Sequence, residues 1–502
     1  MYIRIARHLR LSLVLLLGFL LEVPTAFSAE SAAKVYVILW FDTEDYLLPA
    51  SDDAALHLAK FLSGEDVRAT FKVVGEKART LEKRGRSDVI AALKKHEIGF
   101  HSNYHSTQPS PALYLSQLGW DEGVREFDRR EGPGRVDVER IFGQAPSCYG
   151  QPGSSWGPQS YGAMSRWGMK VYLDAGNHVN LNDQPCYYCG ILNLYKLAYV
   201  LRADLNHPQE LPRAEERFAQ ARKELLAQGG GGVVSIFYHP CEFVHKQFWD
   251  GVNFSRGENP PREKWKEPPA KTPEETRSAY RVFEEYVRFI KRFPEVRFVT
   301  ASETAKLYRD QARERRFTAA ELSSIAEAVG DEVSFQTHKD HALSASEVFA
   351  LLNAYVAEAP TEQLTVKKTP LGPTGRIPML TATVTTDASQ FQRTCRDVAD
   401  YLDKHERIPS AVWLGSRPVP PEAYLAALAR IARLRLNGKA MPETIDIKPA
   451  KLAAERYVSD DDPKKLWGWV IFPPGFRAPA LMELAKKQAW TLKPAILGGI
   501  SE

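Results

Sequence analysis

From Lys34 to Tyr308 short apolar runs of strand length alternate with helical segments, and this alternation limits the possible folds more than any other feature of the chain. Val35–Phe41 reads VYVILWF, a run without a polar position, as a strand buried on both faces requires. Ser51 is expected to cap a following helix whose face is Ala55, Leu58, Ala59 and Leu62, ending at Gly64. Further strands are expected at Ala69–Val74, Glu97–Phe100, Lys170–Leu173, Val233–Tyr238 and Val296–Thr300. One helix fills the interval up to Lys95, and another covers Ala214–Gln228. Thr272-Pro273-Glu274-Glu275 carries a cap, a proline in the first turn and a capping glutamate, and so predicts a helix with the face Ala279, Val282, Phe283, Tyr286, Val287 and Ile290. The fold class read from this pattern is α/β: a mainly parallel sheet, closed or nearly so, with helices outside. In a barrel of this kind chemistry collects where strands end at their carboxyl side.

Beyond about residue 310 the pattern becomes helical, as in 346–357 and Pro421–Leu436, and 318–502 reads as a separate, smaller domain without a catalytic constellation. The chain has 502 residues, 44% hydrophobic and 25% charged, which excludes wholesale disorder and a polytopic membrane protein. Its formal net charge of +4 offers no electrostatic case for nucleic-acid binding. Residues 1–29 combine Arg4, Arg7 and Arg10, an apolar stretch from Leu11 to Leu21 and small residues around Ser28 and Ala29. That is the pattern of a signal peptide, too short for a stable span, and it predicts a secreted, periplasmic or envelope protein. Cys148, Cys186, Cys189, Cys241 and Cys395 are an odd set, and Cys186-x-x-Cys189 reads as a local disulfide or as two loop thiols.

Four clusters fall at the ends of expected strands. Asp42-Thr43-Glu44-Asp45 crowds three carboxylates into four positions, which a cation relieves and which a solvated acidic loop also accommodates. His101-Ser102-Asn103-Tyr104-His105 spaces two imidazoles four apart, as a metal pair on one turn. Ser147 to Trp156 is a Gly/Pro loop whose N–H groups can face an oxyanion. His239 closes an apolar strand, a place where a structural histidine is also common. Together, a carboxylate and two imidazoles make a three-ligand set with one position open, for which zinc is the default and cobalt or nickel fits the ligand types. A second carboxylate can act as base and an imidazole as acid.

These pieces resemble the polysaccharide deacetylase (NodB-homology, carbohydrate esterase family 4) superfamily. Phe41-Asp42-Thr43-Glu44-Asp45 matches its acidic first motif, Ala69-Thr70-Phe71-Lys72-Val73-Val74-Gly75 its ATFFV-G strand, and His101 to His105 its H-[ST]-x-x-H motif, with His239 as the late histidine. Over residues 34–310 the resemblance implies a distorted (β/α) barrel that removes acetyl groups from N-acetylated sugars of a polysaccharide with one divalent metal ion. Carried over, Asp42 is the base, His101 and His105 are metal ligands, Glu44 is the third ligand with Asp45 as the competing choice, and His239 is the acid. Asp174 would orient His239, and the loop around Gln151, Gly153 and Ser154 would steady the oxyanion. Gln151 stands where the family pattern has arginine, and a neutral amide can donate to Asp42 but does not lower its pKa as a cation does. A silent carbohydrate-binding protein on the same barrel, and an amidase or esterase for a small substrate, are the competing readings.

Two features stay open in sequence. The insertion from Gln247 to Lys271 either overlies the active site or is a surface excursion. In the C-terminal part, 398–409 with the apolar positions that follow loosely resembles pseudomurein-binding repeats, while Trp413, Trp467 and Trp469 are either sugar-stacking or core residues.

Overall fold

The computed structural model describes residues 34–358 and 363–498, and the expected signal peptide at 1–29 lies outside them. At the centre is β1 (Val35–Thr43), buried along its whole length. On one side it pairs in parallel with β8 (Gly232–Tyr238), in a register that sets Phe41 beside Tyr238. On the other, its first half meets β9 (Val296–Val299) and its second half β2 (Thr70–Val73), so Thr43 lies beside Val73. Parallel pairing continues through β3 (Glu97–Phe100), β4 (Cys148–Tyr149), β5 (Val171–Leu173) and β7 (Ile191–Leu194). The antiparallel β6 (Cys186–Tyr188) extends this sheet of ten strands. The segment that follows β7 returns to β8 through a parallel bridge from Val200 to Ser235, which curls the sheet nearly into a ring. The α/β barrel expected from the alternation is therefore present, and this register brings the carboxyl ends of β1, β2, β3 and β8 to one level.

Helices cover the outside. α1 (Pro49–Gly64) begins at Pro49, ahead of the expected cap. Ser51 lies inside it, and the Asp45 carboxylate accepts the N–H groups of Leu47 (2.8 Å) and Leu48 (3.3 Å) instead. The helix expected up to Lys95 is two, α2 (Gly75–Lys83) and a shorter one at Ser87–Leu93, parted at Gly85, whose φ is +66°. Pro273–Lys291 forms as read, with the reciprocal Thr272–Glu275 cap and the six expected face residues buried.

The C-terminal part is mainly helical, as expected, around Ala345–Ala357, Ala388–His405 and Pro421–Leu436. Tyr424 Oη donates to Asn353 Oδ1 (2.7 Å) and Asn353 Nδ2 to the Cys395 carbonyl (2.9 Å), a buried link among the three helices. Where sequence alone reads a separate domain from residue 318, the described residues from 34 to 498 pack as one compact unit. The strand Lys493–Pro494 adds to the barrel sheet beside β6. Lys493 Nζ joins Asp310 and Glu347, 2.8 Å from each, tying that strand to both parts. All five cysteines are buried free thiols, so the Cys186–Cys189 pair is not a disulfide. No helix among the described residues is long and apolar enough to cross a membrane.

Candidate active site

The sheet register assembles the site. Asp42 is the last residue but one of β1, Glu44 follows the strand, His101 follows β3 with its N–H donating to the Val73 carbonyl (3.1 Å), and His239 follows β8. All four side chains, with His105, line one cavity of about 600 Å³. The His101–His105 segment is an irregular turn and not a helix: Ser102 and His105 sit at φ +66° and +57°. Non-glycine residues are held in that region only where the surroundings dictate it. Asn103 supplies the clamp, its N–H donating to Glu131 Oε2 (2.6 Å) and its amide to the Arg130 carbonyl (2.8 Å).

Glu44, His101 and His105 bring their ligand atoms within 4.8 Å of one another. His105 Nε2 is 2.9 Å and His101 Nε2 3.6 Å from Glu44 Oε2. His101 Nδ1 faces the Gly150 carbonyl at 3.1 Å, which puts the proton on Nδ1 and leaves Nε2 free as a ligand. His105 Nδ1 is engaged by Ser106 Oγ at 2.7 Å, while its buried Nε2 makes no hydrogen bond of good geometry despite the nearby carboxylate. Two imidazole nitrogens and a carboxylate oxygen aimed at one point fit a divalent ion of the zinc type. Burial raises the pKa of Glu44, but His105 and His101 outweigh it and hold this carboxyl well below its usual range.

Asp45 is not part of that group. Its carboxylate receives the Leu47 and Leu48 N–H groups and the Ser51 hydroxyl, so it organises the start of α1. Of the two carboxylates that sequence leaves open, Glu44 faces the imidazoles and Asp45 is turned to α1.

Asp42 has a partner that the motif comparison did not supply. Lys72 Nζ is 2.9 Å from Asp42 Oδ1 and 2.7 Å from Asp174 Oδ2, with the lysine side chain fully buried. The ammonium also lies over the Trp40 ring, 4.2 Å from its centroid. Gly150 leaves room for it, since a Cβ there would fall 2.0 Å from Nζ. Burial raises the pKa of Asp42, yet His101, Lys72 and His239 together keep it below the ordinary carboxylate value. Burial pushes Asp174 up, with Asp42 adding to the effect against Lys72. The signal in sequence was a lysine at the middle of an apolar strand, at a position where the family strand carries phenylalanine.

Asp174 therefore binds Lys72 and does not orient His239. That task falls to Glu242, whose Oε1 is 2.5 Å from His239 Nδ1 and which also pairs with Arg202. His239 Nε2 is left facing Asp42 Oδ2 at 3.6 Å. Burial lowers the His239 pKa, but Glu242, Glu44 and Asp42 raise it to about 9 overall. Glu242 sits three residues beyond His239 in a reciprocal cap, a spacing that sequence shows but does not single out.

In the loop, Gln151 and Gly153 line the cavity, and Ser154 does not. Gln151 Nε2 donates to the Gly153 carbonyl (3.1 Å), with the Ala175 carbonyl at 3.4 Å, and so is turned to its own loop and not to Asp42. Ser154 Oγ accepts the backbone N–H of Trp469 (3.2 Å). The insertion covers the site, with Gln247, Phe248, Asp250 and Gly251 in the cavity wall. Trp467 is a core residue, Trp413 is exposed, and Trp469 lines the cavity.

No protein-family model and no curated protein matches this chain. Among solved structures, a polysaccharide deacetylase candidate from Mycobacterium smegmatis is 16% identical with a TM-score of 0.36, over 56% of this chain and 91% of that one. Puue allantoinase is 13% identical with a TM-score of 0.35, over 55% and 91%. A mutant of BA3943, a CE4 family pseudoenzyme, is 13% identical with a TM-score of 0.29, over 54% and 67%. Overlaps of this extent fix neither substrate nor activity, and the chemistry rests on the residues above. In the motifs at its strand ends and in the barrel that carries them, the chain resembles the polysaccharide deacetylase superfamily.

Proposed function

We propose that the protein is a metal-dependent hydrolase that removes acetyl groups from N-acetylated sugars of an envelope or extracellular polysaccharide. The observation that carries this reading is the convergence of Asp42, Glu44, His101, His105 and His239 on one cavity. Glu44, His101 and His105 would hold the ion. A divalent cation there supplies Lewis-acid polarisation of the acetyl carbonyl and eases ionisation of a water.

Asp42 takes a proton from the attacking water as its oxygen bonds to the acetyl carbon. Lys72, itself anchored by Asp174, holds the Asp42 carboxylate in place and ionised. His239, protonated at neutral pH through Glu242, gives its proton to the amide nitrogen as the C–N bond breaks. Acetate and the free amine leave. The backbone N–H groups between Gln151 and Ser154 are the proposed donors to the oxyanion, with no part for the Ser154 side chain.

The missing loop arginine was the main support for a silent sugar-binding protein, and Lys72 supplies a cation at Asp42 by another route. The test is acetate release from N-acetylglucosamine oligomers by the zinc-loaded protein. Activity lost in Asp42→Asn with metal retained upholds the reading; equal release by both proteins overturns it.

A further inference from the structure

One wall of the cavity comes from far along the chain, where Trp469 and Val470 stand beside Phe248 and Gly251 of the insertion. Trp469 is fixed at several points. Its indole N–H donates to Asp250 Oδ2 (2.8 Å) and its backbone N–H to Ser154 Oγ (3.2 Å). Its ring meets that of His105 edge-on, with centroids 5.2 Å apart. The ring also rests on Gly153, at φ +51°, where a Cβ would come within 2.2 Å of indole Cδ2. No side chain could stand there without displacing the tryptophan.

The residues that follow lock this wall to the insertion. The Arg256 N–H donates to the Val470 carbonyl (2.7 Å), and Ile471 packs in one cluster with Trp249, Phe254 and Tyr46. An aromatic ring held this way has little rotamer freedom left to lose when a ligand arrives. Val470 and Phe248 remain 53% and 37% exposed, an apolar rim beside a cavity that holds the candidate catalytic groups. The cavity lining contains Asp42, Glu44, Asp174 and Asp250 but no lysine or arginine, so away from His239 and the proposed ion an anionic substituent finds no partner there. A volume of about 600 Å³ is that of a site enclosing a small ligand.

We propose that Trp469 is the specificity-determining residue of this site, where its ring receives the apolar face of an uncharged N-acetylated sugar at the end of a short oligosaccharide. The wall it forms with Val470 narrows the substrate of the proposed function from the interior of a polymer to the free ends of its chains and to short oligosaccharides. The proposal rests on the deacetylase reading for its chemistry, but it concerns binding and can be separated from it.

The probes are the disaccharide of N-acetylglucosamine and a soluble long polymer of the same sugar, with turnover followed by acetate release and binding by calorimetry. The zinc-loaded wild type should show kcat/KM at least tenfold higher for the disaccharide than per sugar of the polymer. Trp469→Ala should raise KM for the disaccharide about tenfold with kcat and metal content little changed, and Trp469→Phe should recover most of the loss. Should Trp469→Ala not fold, Val470→Asp at the exposed rim should raise KM at least threefold with an unchanged melting temperature. A wild type that prefers the polymer, or an unchanged KM in the folded variant, overturns the proposal. Should the wild type release no acetate from either probe, the deacetylase reading fails. The calorimetric arm then decides the wall: tenfold weaker disaccharide binding in Trp469→Ala upholds it, and equal binding, or none by the wild type, overturns it.

Discussion

Lys72 Nζ sits between Asp42 Oδ1 and Asp174 Oδ2, at 2.9 and 2.7 Å, so a single buried ammonium serves two carboxylates at the floor of the cavity. Burial lowers the pKa of this lysine, and Asp174 and Asp42 more than restore it, so the ammonium is charged across the working pH range.

Lys72→Met removes this ammonium and leaves the two carboxylates buried and facing each other. The expected cost is about 3–5 kcal/mol of folding stability. Where the variant still folds, kcat should fall about a hundredfold, the scale seen on loss of one preorganised electrostatic partner. Chemical denaturation and acetate release measure the two effects. A variant of wild-type stability and activity would show that Lys72 is not the cation Asp42 depends on.

The proposed ligands predict metal stoichiometry. Purified protein should hold about one divalent ion per chain, and His101→Ala with His105→Ala should lose it, as read by elemental analysis. Chelation should abolish turnover and added zinc should restore it. Full metal content in the double variant would refute the ligand set.

Asp45 and Glu44 should separate cleanly. Asp45→Ala removes the acceptor of the Leu47 and Leu48 N–H groups and should cost about 1–2 kcal/mol while the ion is retained. Glu44→Ala should do the reverse, lowering metal affinity most. Metal loss in the Asp45 variant would exchange the two roles.

Glu242 makes a pH-dependent contribution to stability. Burial raises its pKa, but His239 and Arg202 outweigh that and bring it to about 2, against an ordinary value of 4.5. A depressed folded-state pKa adds stability that is fully present above the unfolded value and is lost as pH falls through the folded one. Thermal unfolding of Glu242→Gln should therefore differ most from wild type above about pH 4.5, and the gap should narrow steadily toward pH 2. A gap independent of pH would remove the ionised pair from the account.

The uninterrupted apolar run Val35–Phe41 and the spacing of His101 and His105 made the barrel and its two imidazoles legible in one dimension, because strand burial and turn geometry are local properties. Sequence was less decisive where a side chain had two possible partners. Asp45 and Glu44 are chemically alike, and only their partners in the folded chain separate them, the start of α1 for Asp45 and the two imidazoles for Glu44. Asp174 was read as the partner of His239, while the residue that holds His239 lies three positions after it. Composition shifts after residue 310 were read as a domain boundary, yet the final strand belongs to the barrel sheet.

By itself, the amino-acid sequence determined the alternating α/β architecture and the arrival of acid, paired histidines and late histidine at strand ends. Period and propensity act over a few residues and need no knowledge of distant neighbours. Only the tertiary structure decided that Lys72 holds Asp42, and that Trp469 lines the cavity bound to Asp250, a residue 219 positions away. A buried charge or ring takes whatever partner the sheet register sets beside it, and that register is a property of the folded chain.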